Sequence, residues 1–228
     1  MQPFRIYRRI EKGEFFVVGG DCSQGGIDSN VSSFLSKTKL DIPIVYKKRG
    51  VAAEMTSDLQ PALEWIFDIT GVAPVVAFER NNGGGSEMHR LRVLNRLKKY
   101  RIYVMKKDGT IEGVETTDRL GYETNTATRP ILLGDWKQAY DNKLVRIYDK
   151  EMNEQHQAFI VNKQGKPEAA KSRHDDMVIS PAVAFQLYQT ERPIEINRPA
   201  ATPPASSIFG YLQRKEEERA LRGEFVGY

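Results

Sequence analysis

The sequence predicts an α/β domain built on a mixed sheet, and three observations support this fold class. Apolar runs of strand length alternate with longer segments of helical periodicity. Three strands near the amino end follow one another through short links, which is typical of an antiparallel meander. The later strands are separated by helices, as in other α/β folds. Hydrophobic residues make up 40% of the 228 residues, which suffices for a buried core.

The individual elements follow from apolar runs bounded by turn residues and from apolar residues three or four positions apart. Strands are predicted at 14–20, 31–38, 42–49, 73–78, 102–105, 144–148 and 159–161. Helices are predicted at 56–70, 86–100, 129–142, 151–156 and 175–188. Thr56 and Ser57 are candidate caps of the first helix, and Gly71 is its expected stop. Pro181 is expected to kink the last helix or to mark a late start.

Composition divides the chain into one domain at 14–189, an amino-terminal linker at 1–13, and a proline-rich linker with a charged tail at 190–228. Within the domain, residues 107–124 are predicted to form an accessory β-hairpin that turns at Asp108 and Gly109. They offer no apolar stripe to anchor them, so we expect an exposed flap that controls access to a nearby site. An ordinary surface hairpin is the alternative.

Several classes of protein are excluded by residue counts. The single cysteine, Cys22, excludes an internal disulfide framework and a cysteine-rich zinc site. Only three histidines are present, which disfavours a histidine-based zinc centre. No apolar run approaches the roughly 20 residues of a membrane helix, so no membrane partner is expected. Any bound metal is therefore expected to be a hard cation held by carboxylates.

Carboxylates stand at the ends of predicted elements. Asp21 follows the first strand, Glu79 ends the strand after the first helix, and Asp175 and Asp176 open the last helix. Ligands of α/β sheets bind where strands end, and clustered carboxylates are stable only with partners or cations. Two Mg²⁺ or Mn²⁺ ions held there would activate a water and stabilise the leaving oxygen of a phosphodiester. Taken singly, Asp21 also fits a turn, Glu79 an ion pair with Arg80, and Asp175 the start of a helix.

Basic residues gather in the segment that follows the glycine-rich stretch at 83–85. The candidate contacts to nucleic-acid phosphates are Arg90, Arg92, Arg96, Lys106 and Lys107. The formal net charge of +4 is mild and permits an anionic partner without requiring one. The alternative interpretation is the solvated face of a helix.

Three acidic motifs, taken in order, resemble those of phage terminase large-subunit nuclease domains. They are GGDCSQGG at 19–26, VVAFERNNGG at 75–84 and HDDMVISPAVA at 174–184. Residues 121–149 also resemble the body of that family. The resemblance implies an RNase H/RuvC-like fold with a five-stranded mixed sheet and helices on both faces.

The same resemblance assigns roles to single residues. It implies that Asp21 bridges two Mg²⁺ or Mn²⁺ ions and that Glu79 binds one of them. It implies that Asp176 or Asp175 supplies the third carboxylate, and both could bind metal. His174 is expected to orient a ligand or cap the helix, because a histidine beside acidic ligands more often has that role. Cys22 has no paired base and is expected to be incidental.

The implied function is an endonuclease of a viral genome-packaging motor, which cuts concatemeric double-stranded DNA in the host cytoplasm. The family's packaging ATPase needs a P-loop, and the sequence contains none, so the chain is expected to be the nuclease portion of a longer protein. The portal and the small terminase subunit are the partners that the resemblance implies. The alternatives are another RNase H-like nuclease, such as a resolvase or transposase core, and a non-catalytic DNA-binding module.

Overall fold

A mixed sheet of seven strands forms the centre of the fold in the computed structural model, which describes residues 3–105, 119–161, 167–169 and 176–193. The strands are β1 (Phe4–Ile6), β2 (Phe16–Asp21), β3 (Gln24–Ser36), β4 (Asp41–Val51), β5 (Val75–Phe78), β6 (Arg101–Ile102) and β7 (Arg146–Ile147). Their order is β1-β4-β3-β2-β5-β6, and β7 also pairs with β4. β8 (Phe159–Val161) and β9 (Pro167–Ala169) form a separate antiparallel pair.

The pairing directions confirm the predicted meander. The pairs formed among β1, β2, β3 and β4 are all antiparallel. The later strands pair parallel: β5 with β2, β6 with β5, and β7 with β4. The predicted fold class, a mixed sheet with helices on both faces, is confirmed. The expected count of five strands is wrong, because β1 and β7 both add to β4.

Five helices in the described ranges cover the two faces of the sheet. They are α1 (Ala52–Thr70), α2 (Gly84–Leu94), α3 (Thr128–Asp141), α4 (Lys150–Ala158) and α5 (Asp176–Thr190). Alternate strand residues face opposite sides, so two cores form. Phe16, Val18 and Phe78 pack against α1 and α2, whereas Val17 and Val75 pack against α3, α4 and α5. None of these helices is both long and apolar enough to cross a bilayer.

Some predicted boundaries are wrong for identifiable reasons. α1 begins at Ala52, directly after β4, so Thr56 is a buried residue of the helix and not its cap. Ser57 likewise lies inside the helix, where its hydroxyl donates to the Ala53 carbonyl at 3.0 Å. Gly71 ends the helix in the left-handed conformation, as predicted. Pro181 lies within α5, which continues past it.

β1 lies in the stretch for which the sequence predicts a linker. Tyr7 N–H donates to the Pro43 carbonyl and Lys47 N–H to the Pro3 carbonyl, which extends the ladder with β4. Arg5 adds an ion pair of 2.9 Å with the fully buried Asp149. These contacts join this stretch to the sheet, although a three-residue strand has too short a pattern to be detected in the sequence.

α5 crosses the sheet antiparallel to β2. Near its amino end, the sulfur of Met177 lies 3.9 Å from Lys47 Nζ, and Lys47 shares a cross-strand row with Asp21. Beyond its carboxyl end, Lys37 Nζ donates to the Glu191 carbonyl at 2.7 Å, near the start of β2. The amino end of α5 and the carboxyl end of β2 therefore lie at the same end of the sheet.

His156 is a buried neutral base between α3 and α4. Trp136 Nε1–H donates to its Nε2 at 2.6 Å, and its Nδ1 lies 2.6 Å from the Met152 carbonyl. Nδ1 therefore carries the proton, and a second proton on Nε2 would face the indole N–H. Burial lowers the pKa of His156 to about 4, although the hydrogen bond to Met152 opposes this change.

We predict that the free energy of unfolding falls as the pH drops from 6.5 toward 4, because the unfolded imidazole binds a proton that the folded one rejects. The loss should be on the order of 3 kcal/mol over the full window. Urea unfolding at a series of pH values measures it.

In the matched variant His156→Gln, the free energy of unfolding should depend less steeply on pH above pH 4.5. The carboxyl groups of Glu14, Glu151 and Asp149 also have lowered pKa values, and they add a loss of stability below about pH 5 that the variant and the wild type share. Equal slopes for the variant and the wild type above pH 4.5 would contradict the assignment to His156.

Candidate functional site

Asp21 and Glu79 end two neighbouring parallel strands. Gly20 of β2 is paired with Phe78 of β5, and Glu79 N–H donates to the Gly20 carbonyl at 2.8 Å. Each carboxylate is the next residue along its strand, so the two lie side by side. By strand alternation with Val17 and Val75, both belong to the face that α5 covers. We call this part of the sheet, defined by Asp21 and Glu79, the acidic end.

The carboxylate of Glu79 is held in one orientation. Glu79 is only 5% exposed to solvent. Its Oε1 accepts hydrogen bonds from the Thr124 hydroxyl and from Asn81 Nδ2, the latter at 3.2 Å. Asn81 Nδ2 also donates to Thr124 Oγ1 at 2.7 Å, which closes a triangle of three side chains. Two fixed donors on one oxygen restrict the rotation of the buried carboxylate.

The segment that carries Thr124 is an extension of the sheet. Tyr122 N–H donates to the Phe78 carbonyl at 2.8 Å, and Arg80 N–H donates to the Tyr122 carbonyl at 2.9 Å. Leu120 and Tyr122 are 2% and 5% exposed, so the prediction of an unanchored flap is wrong for these residues. Residues 106–118, including Lys106 and Lys107, lie outside the described ranges.

Gly121 allows this extension to approach β5 closely. Its φ is +88°, in the left-handed region that favours glycine. A Cβ at this position would lie 2.6 Å from the Phe78 carbonyl oxygen, which is closer than contact permits. Glycine here thus brings the backbone alongside β5 and places Thr124 at the carboxylate of Glu79.

The third predicted carboxylate belongs to the start of α5. Asp176 is the first residue of this helix, whose amino end lies at the acidic end. The structure thus brings Asp21, Glu79 and the backbone of Asp176 to one end of the sheet. Asp175, His174 and the side chain of Asp176 lie outside the described residues. Within the described ranges, no three His, Cys, Asp or Glu side chains are grouped as a metal site.

The buried thiol of Cys22 experiences the charge of the acidic end. Burial raises its pKa, and the carboxylates of Asp21, Glu87 and Glu79 raise it further in that order. The thiol stays protonated at neutral pH and is therefore a poor nucleophile. It packs against Met55, with its Sγ 3.8 Å from the methionine sulfur.

The predicted basic cluster is divided by the fold. Arg90 is committed to α1, because its guanidinium donates to the Ala53 carbonyl at 2.9 Å and to the Ser57 hydroxyl at 3.1 Å. Arg92 and Arg96 are exposed, and Arg96 follows the carboxyl end of α2. The predicted helix at 86–100 ends early, at Leu94, with Asn95 as its cap.

Farther along this basic segment, the chain reaches the opposite end of the sheet. Arg101 pairs in register with Val75, the first residue of β5, whereas Glu79 follows the last. Its guanidinium lies 3.2 Å from the Glu191 carboxylate, beyond the carboxyl end of α5. Arg101 is therefore far from the acidic end.

Neither Asn81 nor Thr124 is among the residues that the sequence predicts for the site. Asn81 stands two positions after Glu79 and reads as a turn residue before the glycines. Thr124 is 45 positions from Glu79, so no local pattern connects them. Lys47 was also missed; it faces the same side of the sheet as Asp21 and pairs with Glu151 on α4. Of these three residues, only Asn81 has a signal in the sequence, because it is a polar residue close to the end of a predicted strand.

The fold is shared with nuclease domains of phage large terminases. The large terminase nuclease domain of Thermus phage P74-26 aligns over 84% of this chain and 89% of its own, with 15% identity and a TM-score of 0.57. The large terminase nuclease of thermophilic phage G20c with bound magnesium aligns over 82% and 88%, with 15% identity and a TM-score of 0.59. The P22 large terminase nuclease domain aligns over 81% and 87%, with 8% identity and a TM-score of 0.50.

These alignments confirm the RNase H-like fold class that the sequence predicts, and at such low identities they establish the fold alone. No protein-family model and no curated protein matches the chain.

We predict that Thr124→Val destabilises the protein by about 1–3 kcal/mol, because it leaves the buried Glu79 carboxylate with one donor fewer. Thr124→Ser keeps the hydroxyl and is the matched control. Denaturant unfolding measures both. In a Glu79→Gln background the cost of Thr124→Val should shrink, and a Val variant as stable as the Ser variant would show that the contact contributes nothing.

Proposed function

We propose that the chain is a metal-dependent DNA endonuclease of a phage genome-packaging motor. One observation carries the proposal: parallel pairing of β2 and β5 sets Asp21 beside Glu79, at the end of the sheet where α5 begins. The shared fold with large terminase nuclease domains supports the same conclusion. Carboxylates at adjacent strand ends suit hydrolysis of a phosphodiester by bound cations.

The chemistry of the donor set fits a hard divalent cation. The donors are carboxylate oxygens, which Mg²⁺ and Mn²⁺ prefer, and Glu79 is already oriented by Asn81 and Thr124. Structures of the G20c nuclease are described with bound magnesium, cobalt and zinc, which supports a divalent metal here. We propose that two such ions would be held by Asp21, Glu79 and either Asp176 or Asp175.

When bound, the two ions would lower the pKa of an attacking water and neutralise charge on the leaving oxygen. The protein's own contribution is positioning. Asn81 and Thr124 orient the Glu79 carboxylate. The hydrogen bond from Glu79 N–H to the Gly20 carbonyl sets the position of Glu79 beside Asp21. His174 is proposed to orient a ligand at the start of α5.

Contacts to DNA are proposed to go to backbone phosphates, because packaging acts on DNA of any sequence and cannot depend on base readout. Arg92 and Arg96 are exposed and fit this role, as do Lys106 and Lys107 by sequence. Arg90 would have to exchange its hydrogen bonds to α1 for a phosphate contact.

The biological setting follows from the same proposal. The substrate would be concatemeric double-stranded DNA, cut in the host cytoplasm during virus assembly. No P-loop is present in the sequence, so the packaging ATPase would be supplied by another part of the protein or another chain. The portal and the small terminase subunit are the further partners that we propose.

We predict that Asp21→Asn lowers the rate of plasmid nicking with Mg²⁺ or Mn²⁺ by about a hundredfold or more, because it removes charge that stabilises the transition state without changing volume. The matched control is Asp68→Asn, an exposed aspartate of α1 that pairs with Lys99. Nicking of supercoiled plasmid is the assay, and circular dichroism checks the fold.

The same assay separates the alternatives. A non-catalytic DNA-binding module would bind the plasmid without nicking it, and a resolvase core would prefer branched junctions to linear duplex. Wild-type nicking by the Asp21→Asn variant would refute the metal site.

A further inference from the structure

A cleft of about 400 Å³ lies at the opposite end of the sheet from Asp21 and Glu79. The charged and aromatic side chains that line it are Arg8, Lys39, Asp41, Lys143, Arg146 and Tyr148. Asp41 shares a cross-strand row with Ser36 and Phe16, and Phe16 is five residues from Asp21 along β2. At about 3.4 Å per residue, the cleft lies roughly 17 Å from the acidic end.

The floor of the cleft is a rigid ion-pair network. The guanidinium of Arg8 donates to Asp41 at 2.6 and 2.7 Å and to Glu14 at 2.9 and 2.7 Å. Lys39 Nζ lies 3.7 Å from the Glu14 carboxylate. Two buried carboxylates are thus balanced by two cations. Tyr148 also donates its hydroxyl to Asp41, at 3.1 Å, which fixes the ring as a wall.

Two further cations at the cleft have no such balance. The side chains of Lys143 and Arg146 are exposed, and neither has a hydrogen-bond or ion-pair partner among the residues that the structure describes. The other carboxylate nearby, Glu11, is 61% exposed and pairs with Lys39 at 2.6 Å. Lys143 and Arg146 therefore carry charge that no carboxylate pairs with in the described residues, and the cleft keeps a net positive charge even with Glu11 included.

The backbone brings these cations together. Arg146 N–H donates to the Leu40 carbonyl at 2.9 Å, which joins the loop after β3 to the segment after α3. Leu40 and Lys143 both have φ near 54°, a conformation that non-glycine residues seldom adopt. Such backbone conformations persist where the surrounding structure enforces them, often at ligand sites.

We propose that this cleft binds the phosphate group of a small molecule such as a mononucleotide. Lysine supplies a compact charge and arginine a planar fork of donors, and together they suit phosphate oxygens. The volume lies within the usual range of small-ligand pockets. The proposal does not depend on the nuclease assignment.

Calorimetric titration with inorganic phosphate and with dAMP, in buffer that contains EDTA, tests the proposal. We expect saturable binding by the wild type and at least about a tenfold weaker affinity for the double variant Lys143→Ala, Arg146→Ala. The matched control is Lys137→Ala, Lys150→Ala, which removes two exposed lysines of α3 and α4 that are outside the cleft. It should bind phosphate like the wild type.

Three results would overturn the proposal. The first is no saturable binding of either probe by the wild type. The second is equal affinity in the wild type and the Lys143, Arg146 double variant, with unchanged melting temperatures. The third is that the double variant loses affinity only for a short DNA duplex, which would assign these cations to the nucleic-acid backbone. Plasmid nicking by the same variant is a separate readout, so failure of this proposal is distinguishable from failure of the nuclease proposal.

Discussion

The contact of α5 with β2 at Gly19 is the constraint on which the rest of the structure depends. A Cβ on Gly19 would lie 2.1 Å from the Ser180 carbonyl oxygen and 2.4 Å from the Ala184 nitrogen, so the helix rests directly on the strand. The hydroxyls of Ser33 and Ser180 lie 2.8 Å apart and fix the helix along its axis. With that position set, α5 can begin only at the end of the sheet where β2 terminates in Asp21.

The two ends of the sheet hold their buried carboxylates in different ways. At the opposite end of the sheet, Arg8 neutralises the buried Asp41 and Glu14 with short, paired hydrogen bonds. At the acidic end, Asp21 and Glu79 stand together, and the donors to Glu79 in the described residues are the neutral side chains of Asn81 and Thr124. Neutral donors orient the Glu79 carboxylate without pairing it with a positive charge.

The sequence predicts the parts of this arrangement that depend on local patterns. The apolar run before Asp21 and the run before Glu79 mark both strand ends, and Gly71 marks the end of α1. Thr124 was not predictable, because its hydrogen bond to Glu79 spans 45 residues and arises only when the chain pairs with β5. The role of Arg90 was equally hidden, since a basic residue on a helix has the same local pattern whether it meets solvent or α1.

Anomalous diffraction from crystals grown or soaked with Mn²⁺ tests the central claim, that the ends of β2 and β5 together with the start of α5 form a divalent-metal site. We expect anomalous peaks at the carboxylates of Asp21 and Glu79, and weaker peaks in Asp21→Asn crystals treated identically. An absence of anomalous signal at both carboxylates in wild-type crystals at millimolar Mn²⁺ would contradict it.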